Sequence, residues 1–183
     1  AYLSGLKIDN ILKSINKIKP VDGRFEKVGN LKNKAKVIID YAHTPNALEH
    51  TLLALREHLC NENNSELWCV FGCGGDRDKG KRPLMGQAAE ACADNIVITT
   101  DNSRSEAPEA IANDIKAGLK HQEKAVSIAD REAAIRYCFD NADNGDIIVV
   151  AGKGHEDYQI IGNKKTNYNE RAVVARLQQE YSK

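Results

Sequence analysis

KVIIDYAHTPNALEHTLLALREHL, residues 36–59, holds the unit from which the rest of the chain is built. Lys36 to Tyr41 is a short apolar run suited to a buried strand. Thr44 stands before Pro45 as a helix cap stands before the first helical residue. Leu48, Leu52, Leu55 and Leu59 then recur at the spacing of one helical face. A strand followed at once by an amphipathic helix is half of a βαβ unit.

The pattern repeats downstream. Glu66 to Phe71 reads as a strand and Pro83 to Ala93 as a helix. Asn95 to Thr100 is the next strand, with a helix from about Pro108 to Leu119. Ala125 to Ile128 is a short strand, and Asp130 caps a helix carrying Ala134, Ile135 and Phe139. Asp146 to Ala151 is another strand, and Tyr158 to Tyr168, with Gly162-Asn163 at its centre, reads as a β-hairpin. Asn169 caps a last helix with Val173, Val174 and Leu177 inward. The predicted fold is therefore α/β: a Rossmann-like, mostly parallel sheet with helices on both faces and a C-terminal β-hairpin. Upstream, Ile8, Ile11, Leu12, Ile15 and Ile18 have helical spacing, and Pro20 ends that helix. The polar stretch Val21 to Lys34 reads as a connector. The expected boundary falls near Pro20, giving segments 1–20 and 21–183.

Composition narrows the function classes. With 183 residues the chain fits one domain or a domain plus a short extra piece. Such a domain hides about 70% of its extended surface and needs no staples. Twenty-six basic residues balance twenty-six acidic ones. That balance argues against a nucleic-acid or membrane surface, so a local Arg or Lys cluster calls for a local ligand. No apolar run is long enough to span a bilayer. The five cysteines, Cys60, Cys69, Cys73, Cys92 and Cys138, lie in or beside apolar runs without C-x-x-C or zinc-finger spacing. They read as small hydrophobes in a reducing compartment, so the expected location is cytoplasmic and the expected state a monomer. The chain opens on Ala1 and not on Met, so either a fragment or a processed chain is expected.

In open α/β sheets, ligands bind beyond the carboxyl ends of the strands, and here those ends are rich in polar groups. The strands run into Asp40 to Pro45, Gly72 to Arg82, Asp101 to Arg104 and Gly152 to Asp157. Each has a plain alternative. Asp40 and His43 can begin a helix, the glycine loop can be a turn, Ser103 or Ser105 can cap a helix, and His155 and Glu156 can be loop residues. The glycine loop is neither a phosphate loop nor a dinucleotide fingerprint, since Arg77 occupies the third glycine position. Together the four ends offer two planar carboxylate-gripping forks, Arg77 and Arg104, a neutral amide at Asn102, and an ammonium acceptor at Glu156. Such a set fits a diacid carrying amines.

Five strings also resemble the C-terminal domain of the Mur ligases of peptidoglycan synthesis: residues 21–26 (VDGRFE), 40–45 (DYAHTP), 72–83 (GCGGDRDKGKRP), 101–104 (DNSR) and 151–157 (AGKGHED). The resemblance covers essentially the whole chain, with residues 1–20 similar to the tail of the central ATPase domain and linker. It implies an ATP-dependent acid–amino-acid ligase using ATP and Mg2+, the metal held mainly by other domains. It further implies meso-diaminopimelate as the amino acid and UDP-N-acetylmuramoyl-L-alanyl-D-glutamate as the acceptor, reached through other domains. By the same resemblance Arg77, Asp101, Asn102, Ser103, Arg104, Gly152 and Glu156 match amino-acid-binding positions, and Arg24, Asp40 and His43 match positions touching ATP. No catalytic or metal residue is assigned, and the chain alone is expected to be inactive. The family stretch usually reads Asp-Asn-Pro-Arg; Ser103 in place of proline should loosen the turn without changing specificity. Arg104 favours diaminopimelate over lysine, which lacks the far carboxylate. The alternatives are a ligase for lysine or another amino acid (glutamate joined to a folate, for instance), a dinucleotide-binding module, and a structural interaction domain.

Overall fold

The computed structural model of the chain describes residues 4–15, 17, 21–30, 35–59 and 64–181. Helix α1 (Ile8–Ile15) comes first, and the predicted continuation to Pro20 and Cys60 lie outside the described residues. A six-stranded sheet follows, formed by β1 (Glu26–Asn30), β2 (Lys36–Asp40), β3 (Leu67–Phe71), β4 (Asn95–Ile98), β5 (Ala125–Ser127) and β6 (Ile147–Ala151). Between them run α2 (Pro45–Arg56), α3 (Lys81–Cys92), α4 (Pro108–Lys116) and α5 (Arg131–Asn141). The chain ends with the antiparallel pair β7 (Tyr158–Ile161) and β8 (Lys164–Asn167), then α6 (Glu170–Glu180).

The sheet order is β1-β2-β6-β3-β4-β5, parallel throughout except for the antiparallel edge strand β1. Side chains alternate across it. Cys69, Phe71, Ile96, Ile98 and Val149 join Leu48, Leu52, Leu55, Met85, Ile111 and Ile115 of α2, α3 and α4. Trp68, Val70, Val97, Ile148 and Val150 face Ile135, Phe139, Val174 and Leu177 of α5 and α6. Both faces are therefore covered, as a parallel sheet requires. The three expected caps form: Thr44, Asp130 and Asn169 each accept the amide three residues ahead, at 3.3, 2.7 and 3.0 Å.

Three expectations need correction. The supposed connector contains β1, whose polar sequence gave no alternation to read. Pairing with β2 makes it a strand, with a bulge between Lys27 and Gly29. Neither Ser103 nor Ser105 caps α4, which starts behind Ala107 with Pro108 in its first turn. Ser105 instead donates its hydroxyl to Asp76 (2.6 Å), and Ser103 is fully buried. Helix α2 stops at Arg56, so Leu59 packs half-buried just beyond it.

Candidate functional site

Strand β6 enters the sheet between β2 and β3. The loop leaving it, residues 152–157, consequently emerges between the loop after β2 and the loops after β3 and β4. Gly152 begins that loop at φ +112°, a conformation only glycine adopts readily, and its amide donates to the Asp40 carbonyl (3.1 Å). Two clusters of polar side chains flank this loop.

The first cluster gathers Asn102, Arg104, Glu156 and Asp101. The Asn102 amide donates to Glu156 Oε2 (3.0 Å), and its oxygen accepts from Lys153 Nζ (3.2 Å) and the Ile160 amide (3.0 Å). Lys153 is completely buried and also reaches the Tyr158 carbonyl (2.8 Å), Asp101 Oδ1 (3.0 Å) and Glu156 Oε2 (3.7 Å). Arg104 sits at φ +50°, an unfavourable backbone for a side chain of its kind. The β7–β8 hairpin holds it there: its amide donates to the Ile160 carbonyl (3.1 Å) and its carbonyl accepts from the Gly162 amide (2.7 Å). One guanidinium nitrogen, Nη1, serves the carbonyls of Gly75 (2.8 Å) and Asn102 (3.2 Å). Among the described residues its other two nitrogens make no hydrogen bond. Ser103 lies between these fixed neighbours, its carbonyl accepting the Glu106 amide (3.1 Å).

Arg77 lies at the rim of this cluster. It is exposed and bonds to the neighbouring Asp76 carbonyl (3.0 Å). The turn carrying it is pressed onto the 101–104 loop, because a Cβ added to Gly75 would stand 1.8 Å from the Ser103 carbonyl oxygen. The turn is anchored from below by Arg82, a fully buried side chain gripping Glu106 with both Nη atoms (2.8 and 3.0 Å), Asp114 (2.8 Å) and the Gly74 carbonyl (3.2 Å). Glu106 also accepts the Asp76 amide (2.6 Å). The Arg82 guanidinium holds the Glu106 carboxyl down from 4.5 to about 2. A lowered carboxyl pKa stabilises the folded state above the unfolded value and loses that contribution as pH falls through the folded one. Exchange protection of the Asp76 amide, corrected for its intrinsic rate, should therefore decline between pH 4.5 and about 2. The Glu106→Gln variant should lose that dependence; a flat profile in the parent chain would show that charge does not hold the turn.

The second cluster contains Arg24, Tyr41, His43 and His155. The Arg24 guanidinium lies 4.4 Å from the centre of the Tyr41 ring, which meets the His43 ring at 4.6 Å and the His155 ring at 5.3 Å. Asp40 does not project as a free ligand group. Its carboxylate accepts from the amides of Phe25 (2.7 Å) and Ala42 (2.8 Å) and from the Thr51 hydroxyl (3.1 Å), tying the Arg24 turn to β2. Glu26 completes the tie by accepting the Gly23 amide (2.6 Å) and the Arg171 fork. Gly23, at φ +68°, leaves no room for a side chain: a Cβ there would meet the Gly154 carbonyl carbon at 2.2 Å. The two clusters thus share the 152–157 loop as a common wall.

Sequence reasoning missed Lys153, Arg82 and the buried pair Arg131–Glu170, in which Arg131 Nη2 also holds the Ala151 carbonyl (2.8 Å) at the end of β6. A lysine between two glycines at a strand end was the available signal for the first. Cys73 follows the bland reading: burial pushes its thiol up to about 12. A cavity of about 300 Å³ lies beside α4, lined by Thr100, Asn113, Lys116 and Ser127, and includes none of the predicted site residues. Among the described residues no group of His, Cys, Asp and Glu is arranged to hold a metal ion, and no helix is long and apolar enough to cross a membrane.

Comparison with known proteins adds an independent finding. Residues 23–154 match the protein-family model for the Mur ligase, glutamate ligase domain. The UDP-N-acetylmuramoyl-L-alanyl-D-glutamate–2,6-diaminopimelate ligase of Haemophilus influenzae (strain ATCC 51907 / DSM 11121 / KW20 / Rd) is 48% identical over 170 residues, 93% of this chain and 34% of that protein. The ligase of the same name from Vibrio vulnificus (strain YJ016) is 48% identical over 179 residues, 97% of this chain and 35% of that protein. A solved structure of a UDP-N-acetylmuramoyl-L-alanyl-D-glutamate–2,6-diaminopimelate ligase superposes with a TM-score of 0.81 at 38% identity, over 100% of this chain and 37% of that one. The chain spans about a third of the length of these curated relatives.

Proposed function

The chain belongs to the Mur ligase family, and we propose that it is the amino-acid-docking domain of a ligase that adds meso-diaminopimelate to UDP-N-acetylmuramoyl-L-alanyl-D-glutamate. The observation that carries this reading is the meeting of Asn102, Glu156 and the Arg104 fork where three strand ends converge. Arg104 and Asn102 receive a carboxylate, Glu156 and the free oxygen of Asp101 receive an ammonium, and Arg77 closes the rim. The names of the relatives support the substrate class.

In the reaction proposed, ATP phosphorylates the D-glutamyl carboxylate. The diaminopimelate amine then attacks the acyl carbon, phosphate leaves, and the amine gives up its proton. This chain contributes by orienting the amine and by presenting Arg24 and His43, with Tyr41 between them, to the nucleotide. Asp40 serves the nucleotide indirectly, by fixing the Arg24 turn. Mg2+ would travel with ATP and be held by parts of the ligase outside this chain, since among the described residues no group of His, Cys, Asp and Glu is arranged to hold it. The exposed apolar residues Leu6, Ile8 and Leu12 suit α1 and the turn before it to packing against such a part. A cytoplasmic location follows from the substrates.

Calorimetry on the chain tests the docking role. Meso-diaminopimelate should bind measurably and lysine more weakly, and equal affinities would remove the diaminopimelate assignment. No G-x-x-x-x-G-K-[ST] phosphate loop occurs in the 183 residues. Phosphate release from ATP by this chain with both substrates should therefore be absent, and turnover would overturn the division of labour.

A further inference from the structure

Lys153 carries a positive charge where solvent does not reach: its exposure is 0%. A buried charge is costly unless paired and hydrogen-bonded, and Lys153 is both, through Asp101, Glu156, Asn102 and the Tyr158 carbonyl. Its placement has a consequence for Asn102. Oxygen and nitrogen of an amide are told apart by what surrounds them, and here the surroundings leave one choice. The Lys153 ammonium and the Ile160 amide can only donate, so they must face the amide oxygen. Glu156, when ionised, can only accept, so it must face the nitrogen. The Asn102 oxygen is thereby used up inside the protein, while one of its two N–H bonds goes to Glu156 and the other remains for a ligand.

We propose that Lys153 is a positioning residue: its buried ammonium locks the Asn102 amide as a donor, so that the ligand group meeting Asn102 must be an acceptor oxygen. Taken alone, Asn102 offers a donor and an acceptor equally; Lys153 removes the second option. Next to the free nitrogens of Arg104, that makes this corner of the pocket selective for a carboxylate and leaves the ammonium to Glu156. The assignment of the pocket to an amino acid is the reading given above, and the locking of Asn102 is a property of the ligand-free chain.

The test separates the two. In the 15N-labelled, ligand-free chain, the Asn102 side-chain amide should give two resolved protons, and the one bonded to Glu156 should exchange slowly. Lys153→Met, which keeps the length and removes the charge, should speed that exchange at least tenfold and weaken meso-diaminopimelate binding at least tenfold, in a variant that still melts cooperatively. Unchanged Asn102 exchange in Lys153→Met overturns the proposal whatever happens to binding. A parent chain with a protected Asn102–Glu156 proton but no affinity for diaminopimelate upholds the positioning role and overturns the substrate reading. Should Lys153→Met fail to fold, the parent chain still decides: Lys153 must show a solvent-protected ammonium 15N resonance, and a neutral or freely exchanging amine rejects the idea.

Discussion

Glu170→Ala is expected to destabilise the chain by about 3–5 kcal/mol, the range for removing one partner of a buried ion pair. Arg131 and Glu170 are 2% exposed each, at the first residues of α5 and α6. Burial pushes the Glu170 carboxyl up, and the Arg131 guanidinium pulls it back toward the ionised form. Without Glu170 the hydrogen bond left to the guanidinium among the described residues is that to the Ala151 carbonyl. At roughly 2–4 °C per kcal/mol for a domain of this size, the melting temperature should fall by about 6–20 °C. The double variant Arg131→Met with Glu170→Leu should recover most of the loss, because well-packed apolar replacements of buried pairs are often neutral or stabilising. Urea melts of the parent chain and the two variants provide the measurement. A single variant within about 1 kcal/mol of the parent would mean that the site relaxes and lets water in.

Arg104→Ala should abolish most of the preference for meso-diaminopimelate over lysine. A hydrogen bond to a charged group contributes about 1.5–3 kcal/mol, and 1.4 kcal/mol is a factor of ten, so losing a two-pronged grip lowers affinity on the order of 100-fold. Lysine, with no far carboxylate, should change little. Arg104→Lys keeps the charge but not the planar fork, and should recover only part of the affinity. The backbone of the loop should survive, since its ties to Ile160 and Gly162 run through main-chain atoms. Calorimetry with both ligands and both variants checks this. An equal loss for lysine would mean that Arg104 shapes the loop and does not read the ligand.

Much of the fold was legible because its signals are local. A strand such as KVIID, a cap such as Thr44 before Pro45, and the leucine stripe of α2 each depend on residues within a few positions of one another. The four strings at the strand ends were legible for the same reason: contiguous polar residues interrupt an apolar rhythm. β1 was not legible. An edge strand pairs along one side only, and EKVGN becomes a strand through β2 and through Arg171, 145 residues away from Glu26. Lys153 read as a loop residue because nothing near it in sequence announces complete burial. The use of the Asp40 carboxylate by Phe25 and Thr51 was not legible either, since those partners lie 15 and 11 positions away.

By itself the sequence determined the alternation of strands and helices, the apolar face of each helix, and the residue types offered at each strand end. Only the tertiary structure decided that β6 lies between β2 and β3, and hence that one loop serves both polar clusters. It alone decided which charges are buried and which way the Asn102 amide faces. The physical reason is range. Periodicity and capping act over three or four residues, whereas strand order and the pairing of buried charges join residues tens of positions apart, as Lys153 is joined to Asn102 at a separation of 51.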